Sequence, residues 1–109
     1  MKSTITICIL SLTVMLFSAC ENKPEVLWID VRTQEEWDSG HLEEAFHIPH
    51  DQISTRIGEV TSNKEATIHL YCRSGGRAGR AKSALEELGF THVMNEGGYE
   101  DLLKERQGK

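Results

Sequence analysis

Cysteine is scarce in this sequence. Its 109 residues include three cysteines, and two of them, Cys8 and Cys20, fall within the first twenty residues. Cys72 is therefore the only thiol left for a folded domain, which excludes an internal disulfide as a source of stability. Basic residues are also few: 12 lysines and arginines face 17 aspartates and glutamates, for a net charge of −5. No stripe of positive charge is available for a phosphate backbone, so the sequence disfavours nucleic acid as a partner.

Long apolar runs are confined to the amino terminus. Lys2 gives a weakly positive start, residues 5–17 are apolar apart from interspersed Thr and Ser, and two small residues, Ser18 and Ala19, follow. An apolar stretch of about 13 residues is typical of a secretory signal and is short for a membrane span, which needs about 20. The sequence therefore predicts export, with a retained helical anchor as the alternative.

The predicted cleavage site indicates a lipid anchor. Residues 16–20 read Leu-Phe-Ser-Ala-Cys and resemble a bacterial lipobox, in which the cysteine becomes the lipidated first residue of the mature chain. We expect residues 1–20 to be a signal peptide of lipoprotein type, cleaved before Cys20, with a linker over residues 21–25 and a domain over residues 26–109. We expect the protein to be anchored on the periplasmic side of a membrane by a lipid on Cys20. The alternative location is the soluble periplasm.

Behind this leader, apolar runs of strand length alternate with helical patterns. Strands are predicted over residues 26–31, 45–48, 67–71 and 91–95, and helices over residues 34–40, 50–60, 78–88 and 99–106. Strands that alternate with helices pair through right-handed crossovers into a parallel sheet. The predicted fold class is α/β, a parallel sheet with helices on both faces. In such sheets a ligand binds at the carboxyl ends of the strands.

The segment that can carry chemistry is the loop after the third predicted strand. It reads Cys-Arg-Ser-Gly-Gly-Arg over residues 72–77 and leads directly into a helix. Backbone N–H groups of such a loop can converge on one point, where the helix amino terminus adds positive partial charge. These groups and the two arginines are expected to lower the pKa of the Cys72 thiol toward neutrality. We expect Cys72 to be an exposed, reactive thiol, and an inert buried cysteine is the alternative.

Several spaced motifs together resemble the rhodanese-homology domain family. They are Asp-Val-Arg at residues 30–32, Glu-Trp at 36–37, Gly-His-Leu at 40–42, Ile-Pro at 48–49, Tyr-Cys-x-x-Gly-x-Arg at 71–77, Gly-Phe at 89–90 and Gly-Gly at 97–98. The resemblance covers about residues 26–103, essentially the whole predicted domain. Residues 28–32 and 89–93 resemble in particular the exported single-domain thiosulfate sulfurtransferases of phage shock protein E type. The resemblance implies a rhodanese-like fold.

The resemblance also implies an activity. A thiosulfate sulfurtransferase moves the outer sulfur of thiosulfate, or of a similar donor, onto Cys72 as a persulfide. It then passes that sulfur to a thiophilic acceptor, cyanide in vitro or a thiol in vivo. The anionic donor would be bound by the rest of the loop: Arg73, Ser74, Gly75, Gly76 and Arg77. Phosphatases of the cell-cycle type share the fold but have five residues between cysteine and arginine, whereas four separate Cys72 from Arg77, which favours sulfur over phosphate.

Other polar and aromatic residues are interpreted as structural. Asp30 and Arg32 are expected near the site, tying the end of the first strand to neighbouring loops. Trp37 is expected in the core and Arg80 at the surface. Three histidines have spacings that match no standard set of zinc ligands, namely His41, His47 and His50. Neither a metal nor another cofactor is therefore predicted.

Two other functions stay open on the sequence. One is a carrier that holds a sulfane sulfur on Cys72 and hands it to a partner with little turnover. The other is a thiol redox or stress sensor. The expected partners are a small-molecule sulfur donor and a thiol acceptor of unknown identity, with membrane contact only through a lipid on Cys20. Because the predicted domain has no second thiol, any acceptor must be another molecule.

Overall fold

Four strands alternate with four α-helices in the computed structural model, which describes residues 24–108. The strands are β1 (Val26–Asp30), β2 (Phe46–His47), β3 (Thr67–Cys72) and β4 (His92–Gly98), and the α-helices are α1 (Gln34–Asp38), α2 (Ile53–Arg56), α3 (Gly76–Glu87) and α4 (Tyr99–Gln107). All strand pairs are parallel, in the order β2-β1-β3-β4. The predicted α/β class is confirmed. The predicted signal peptide and Cys20 lie outside the described residues.

Side chains of the central strands alternate between two apolar cores, one on each face of the sheet. The larger core joins β1, β3 and β4 to α2 and α3, and it contains Ile29, Leu70 and Leu85. The smaller core joins Tyr71 of β3 to Leu102 of α4. Helices therefore cover both faces, as predicted. Within residues 24–108 no helix is both long and apolar enough to cross a bilayer.

The segment over residues 50–60 is less regular than its pattern predicts. Instead of one helix, a 3₁₀ turn at His50–Gln52, α2 and a second 3₁₀ turn at Ile57–Glu59 follow one another. Ile53 and Ile57 are nevertheless both buried in the larger core, because residues four apart share a face of a helix. Gly58 lies in the second 3₁₀ turn, two residues after the end of α2, and weakens helical propensity there.

The end of β4 is the larger difference from the sequence prediction. The sequence indicates a strand end at Asn95 and a turn at residues 97–98, but β4 continues to Gly98. Leu70 of β3 pairs with Asn95, whereas Cys72 pairs with Gly98, so β4 carries one extra residue between the two pairs. This is a bulge, which bends a strand without ending it. It brings β4 beside the cysteine loop.

A buried ion pair between Asp30 and Arg32 joins the end of β1 to neighbouring segments. Nη2 of Arg32 lies 2.6 Å from one carboxylate oxygen of Asp30, and Nε contacts both oxygens at 2.9 and 3.0 Å. The same Nη2 donates to the Gly40 carbonyl at 2.7 Å. The guanidinium also lies 4.4 Å from the ring centroid of Tyr99. The pair thus connects β1 to the segment after α1 and to the start of α4.

Replacing Asp30 with alanine should destabilise the fold strongly. It leaves the Arg32 guanidinium buried without a counter-charge, and removing one partner of a buried pair costs about 3–5 kcal/mol. Glu86→Ala is the matched control, because it breaks the exposed pair with Lys82 on α3 and should cost less than about 1 kcal/mol. Urea unfolding of both variants measures the difference. Equal free energies of unfolding would contradict the importance of the buried pair.

Candidate active site

Cys72 is the last residue of β3, a central strand, so it lies at the carboxyl edge of the sheet. A short turn over residues 73–75 separates it from α3, which begins at Gly76, two residues earlier than predicted. The first turn of the helix therefore lies inside the cysteine loop. Cys72 is only 1% exposed, so the expectation of an exposed thiol was wrong. Its side chain follows the β3 alternation into the larger core beneath the loop.

Backbone amides surround the buried sulfur. The Gly75 N–H lies 2.9 Å from Sγ and the Ala78 N–H lies 3.4 Å from it. Burial alone would raise the pKa of the Cys72 thiol, but the N–H groups of Ala78, Ser74, Gly75 and Arg77 outweigh it, and the pKa is lowered. Hydrogen bonds that favour the charged form explain this direction. The buried position therefore does not make the thiol inert.

The guanidinium of Arg77 is held by Glu36 of α1. Nη1 and Nη2 of Arg77 donate to the two carboxylate oxygens at 2.7 and 3.1 Å, a bidentate pair. Both side chains are partly buried, at 22% and 26% exposure. The family resemblance implies that Arg77 binds the anionic donor, whereas in the structure its charge is largely balanced by Glu36. Arg77 therefore joins α3 to α1 at the edge of the loop.

Glu36 lies at the site although the sequence did not predict it there. Its carboxylate takes part in a capping box at the start of α1, in which Thr33 is the N-cap. The same carboxylate also reaches Arg77. The Arg77 hydrogen bond, against the effect of burial, lowers the pKa of Glu36 from 4.5 to about 2. The sequence signal that could have placed Glu36 at the site was the Glu-Trp motif at residues 36–37, one of the motifs that resemble the rhodanese-homology family.

Arg73 is exposed, and no carboxylate within residues 24–108 forms an ion pair with it. It lines a pocket of about 260 Å³ together with five other residues: Arg32, Glu36, Ser39, Tyr99 and Glu100. Ser74 and Gly76 are exposed beside it in the loop. Arg73 is thus the loop arginine that is available to an anion from solvent.

The bulged end of β4 supports the cysteine loop from one side. Asn95 donates from Nδ2 to the Gly75 carbonyl at 2.9 Å. Gly98 packs so tightly against the backbone of residues 73–74 that any side chain there would collide with the Arg73 carbonyl. Neither contact is predicted from the sequence, which indicates a strand end at Asn95 and a turn at the two glycines.

Trp37 does not lie in either core, so that expectation was wrong. It is half-buried and stacks on two histidines, with ring centroids 3.4 Å from His41 and 4.9 Å from His47. The His47 ring also contacts the Arg32 carbonyl, at 2.9 Å from Nε2. Within residues 24–108 no cluster of three or more His, Cys, Asp or Glu side chains is arranged to hold a metal ion.

The site combines a thiol of lowered pKa, at the carboxyl edge of a parallel sheet, with an arginine that is exposed to solvent. It suits nucleophilic attack by a thiolate on an anionic substrate, because the amides that favour the thiolate also favour other negative charge at the same point. This chemistry needs no metal ligand and no second cysteine.

Comparisons with known proteins identify the family. The family model of the rhodanese-like domain matches residues 16–105. Thiosulfate sulfurtransferase PspE of Escherichia coli (strain K12) is 40% identical over 75 residues, which are 69% of this chain and 72% of that protein. The uncharacterized protein YqhL of Bacillus subtilis (strain 168) is 38% identical over 72 residues, covering 65% of this chain and 56% of that protein.

A solved structure agrees with these relatives. The structure of a rhodanese with anions from E. coli has a TM-score of 0.67 and 39% identity, over 70% of this chain and 89% of that one. The chain belongs to the rhodanese-like sulfurtransferase family. The resemblance stated from the sequence motifs is therefore confirmed.

The Glu36–Arg77 pair predicts a specific acid dependence of stability. The pKa of Glu36 is about 2 in the folded chain, whereas its ordinary value is 4.5. Ionised Glu36 therefore stabilises the fold above pH 4.5. That contribution is lost as the pH falls toward 2. Glu36→Gln lacks it at every pH. The difference in unfolding free energy between the two proteins should shrink between pH 4.5 and pH 2, as measured by urea unfolding. A difference that stays constant with pH would refute this role of the pair.

Proposed function

We propose that this protein is a thiosulfate sulfurtransferase that works through a persulfide on Cys72. The observation that carries the proposal is the convergence of loop amides on Sγ, with the Gly75 N–H at 2.9 Å and a lowered thiol pKa. The E. coli relative that bears this name, 40% identical, supports the choice of donor.

In the first step the thiolate of Cys72 attacks the outer sulfur of thiosulfate. A bond forms between Sγ and that sulfur, the sulfur–sulfur bond of thiosulfate breaks, and sulfite leaves with the electron pair. The charge is conserved, since a thiolate and a dianion give a persulfide anion and a sulfite dianion. Arg73 meets the dianion from solvent, where a charge-assisted pair is stronger than a neutral hydrogen bond.

In the second step a nucleophile takes the terminal sulfur. Cyanide attacks it to give thiocyanate, and the electrons of the breaking bond return to Sγ as the thiolate. A thiol acceptor would react in the same way to give its own persulfide. The amides of Gly75 and Ala78 that surround Sγ favour the thiolate as leaving group, because they lower its pKa.

Steady-state thiocyanate formation from thiosulfate and cyanide tests the catalytic assignments. Cys72→Ser should abolish it. Arg73→Ala should raise KM for thiosulfate about tenfold, the loss expected for one charge-assisted contact. Arg106→Ala is the matched control, because that arginine pairs with Glu44 and lies over Trp28 on the α4 face. Equal KM values for the two arginine variants would remove Arg73 from the site.

The carrier and sensor alternatives give different results with the same protein. A carrier would form one persulfide on Cys72 with thiosulfate. It would release that sulfur to cyanide too slowly to support repeated turnover. A redox sensor would instead accumulate stable sulfenic or glutathione adducts on Cys72. Multiple turnovers with Cys72-dependent thiocyanate release would exclude both alternatives as the main activity.

We further propose that the mature chain is a lipoprotein on the periplasmic side of a membrane. The lipobox-like residues 16–20 support this proposal. Intact mass analysis of the chain expressed in a bacterium should show a diacylated or triacylated Cys20 as the first residue. Cys20→Ser should abolish the acyl mass and release the protein from the membrane fraction. An unmodified chain that begins near residue 20 would contradict the anchor.

A further inference from the structure

The side chain of Asn95 connects the β4 bulge to the cysteine loop. Its Nδ2 donates to the Gly75 carbonyl and its Oδ1 accepts the Gly97 N–H, both at 2.9 Å. One partner can only accept and the other can only donate, so the two contacts fix which end of the amide faces which partner. Asn95 is therefore a two-point bridge between β4 and the loop.

Gly75 is the residue through which this bridge reaches the sulfur. Its N–H lies 2.9 Å from Sγ of Cys72, and its carbonyl also accepts the Gly79 N–H at 2.9 Å. Gly75 has φ of +103°, the left-handed region, and without a Cβ its own backbone restrains the two adjoining peptide planes weakly. The two peptide planes meet at the Gly75 Cα, so a bond that holds the carbonyl from outside the loop limits the movement of that Cα and, with it, the distance between the N–H and Sγ.

The Asn95 side chain is exposed, but segments on three sides approach its amide. A Cβ added to Gly75 would lie 3.5 Å from Cα of Gly97 and 3.7 Å from Oδ1 of Asn95. A Cβ added to Gly79 would lie 3.5 Å from Nδ2. The loop, the bulge and the first turn of α3 thus meet at this one amide. Replacing Asn95 therefore changes the contacts of Gly75.

We propose that Asn95 is a positioning residue for Cys72, which holds the Gly75 N–H on the sulfur by fixing the Gly75 carbonyl. The proposal rests on the function proposed above, in which Cys72 is the nucleophile. Asn95 acts through Gly75 and does not contact the reacting sulfur. Without this bridge the Gly75 carbonyl keeps only its bond to the Gly79 N–H, so Gly75 is held less firmly against the sulfur.

A merely structural role for Asn95 predicts lower stability and an unchanged thiol. A positioning role predicts that the thiol itself changes. Asn95→Ala removes both contacts. Asn95→Asp keeps the acceptor for the Gly97 N–H but places a carboxylate against the Gly75 carbonyl and adds negative charge near the thiolate. Asn63→Ala is the matched control, because Asn63 accepts the Glu65 N–H at 2.9 Å in the loop before β3, at the opposite end of that strand.

The measurement is the rate of alkylation of Cys72 by iodoacetamide between pH 5 and pH 10, on the full chain. Trypsin cuts after Lys64 and Arg73, so Cys72 is quantified by mass spectrometry in the peptide over residues 65–73, apart from Cys8 and Cys20. Thermal unfolding of each variant is recorded in parallel. Kinetic constants for thiosulfate are measured where sulfur transfer occurs.

For Asn95→Ala the midpoint of the pH profile should move upward, and the rate below the midpoint should fall about threefold to tenfold, as expected for one weakened hydrogen bond to the thiolate. The midpoint should move further upward in Asn95→Asp and should stay unchanged in Asn63→Ala. The value of kcat should fall in Asn95→Ala with KM for thiosulfate unchanged, since Asn95 does not bind the donor.

The proposal is overturned if the profile of Asn95→Ala superimposes on that of the parent while its melting temperature falls. If Asn95→Ala does not fold, Asn95→Ser replaces it, with the same expectation and the same contradicting result. The two proposals fail separately. A parent chain that transfers no sulfur but shows the upward shift in Asn95→Ala would refute the function and leave the positioning role intact.

Discussion

The site depends on one physical constraint: a thiol that is almost fully buried must be stabilised as a thiolate chiefly by backbone amides. Burial of Cys72 acts against ionisation, yet the amides of the loop and of the first turn of α3 lower its pKa overall. Amides serve this purpose well because they carry no net charge and their positions are fixed by the fold. The same arrangement favours the negative charge that a sulfur donor brings.

The surrounding structure holds those amides in place from three directions. Glu36 holds Arg77 and thereby joins α1 to the start of α3. The bulged end of β4 supports the loop through Asn95. The buried pair of Asp30 and Arg32 anchors the neighbouring strand end. The hydrogen bonds to Sγ come from backbone N–H groups and not from these side chains, so we expect each side chain to act on the thiol through the geometry of the loop and through its charge.

The sequence was sufficient for the fold class and for the place of Cys72 at the carboxyl end of β3, because apolar runs and the glycine loop are local signals. It was not sufficient for the partners of the loop. The pairing of Glu36 with Arg77 spans 41 positions, and a capping box already explained Glu36. The β4 bulge arises from pairing with β3, so Asn95 and Gly98 read locally as a strand end and a turn. Trp37 looked like a core residue because hydrophobicity alone does not reveal a stack on two histidines.

The central claim is that the amide-stabilised sulfur of Cys72 accepts a sulfane sulfur. The most direct measurement is the mass of the peptide over residues 65–73 after the chain has been treated with thiosulfate and then with cyanide. The account predicts the gain of one sulfur atom on Cys72 with thiosulfate and its complete loss, as thiocyanate, with cyanide. A Cys72 that alkylates readily at neutral pH but gains no sulfur from thiosulfate would contradict the account.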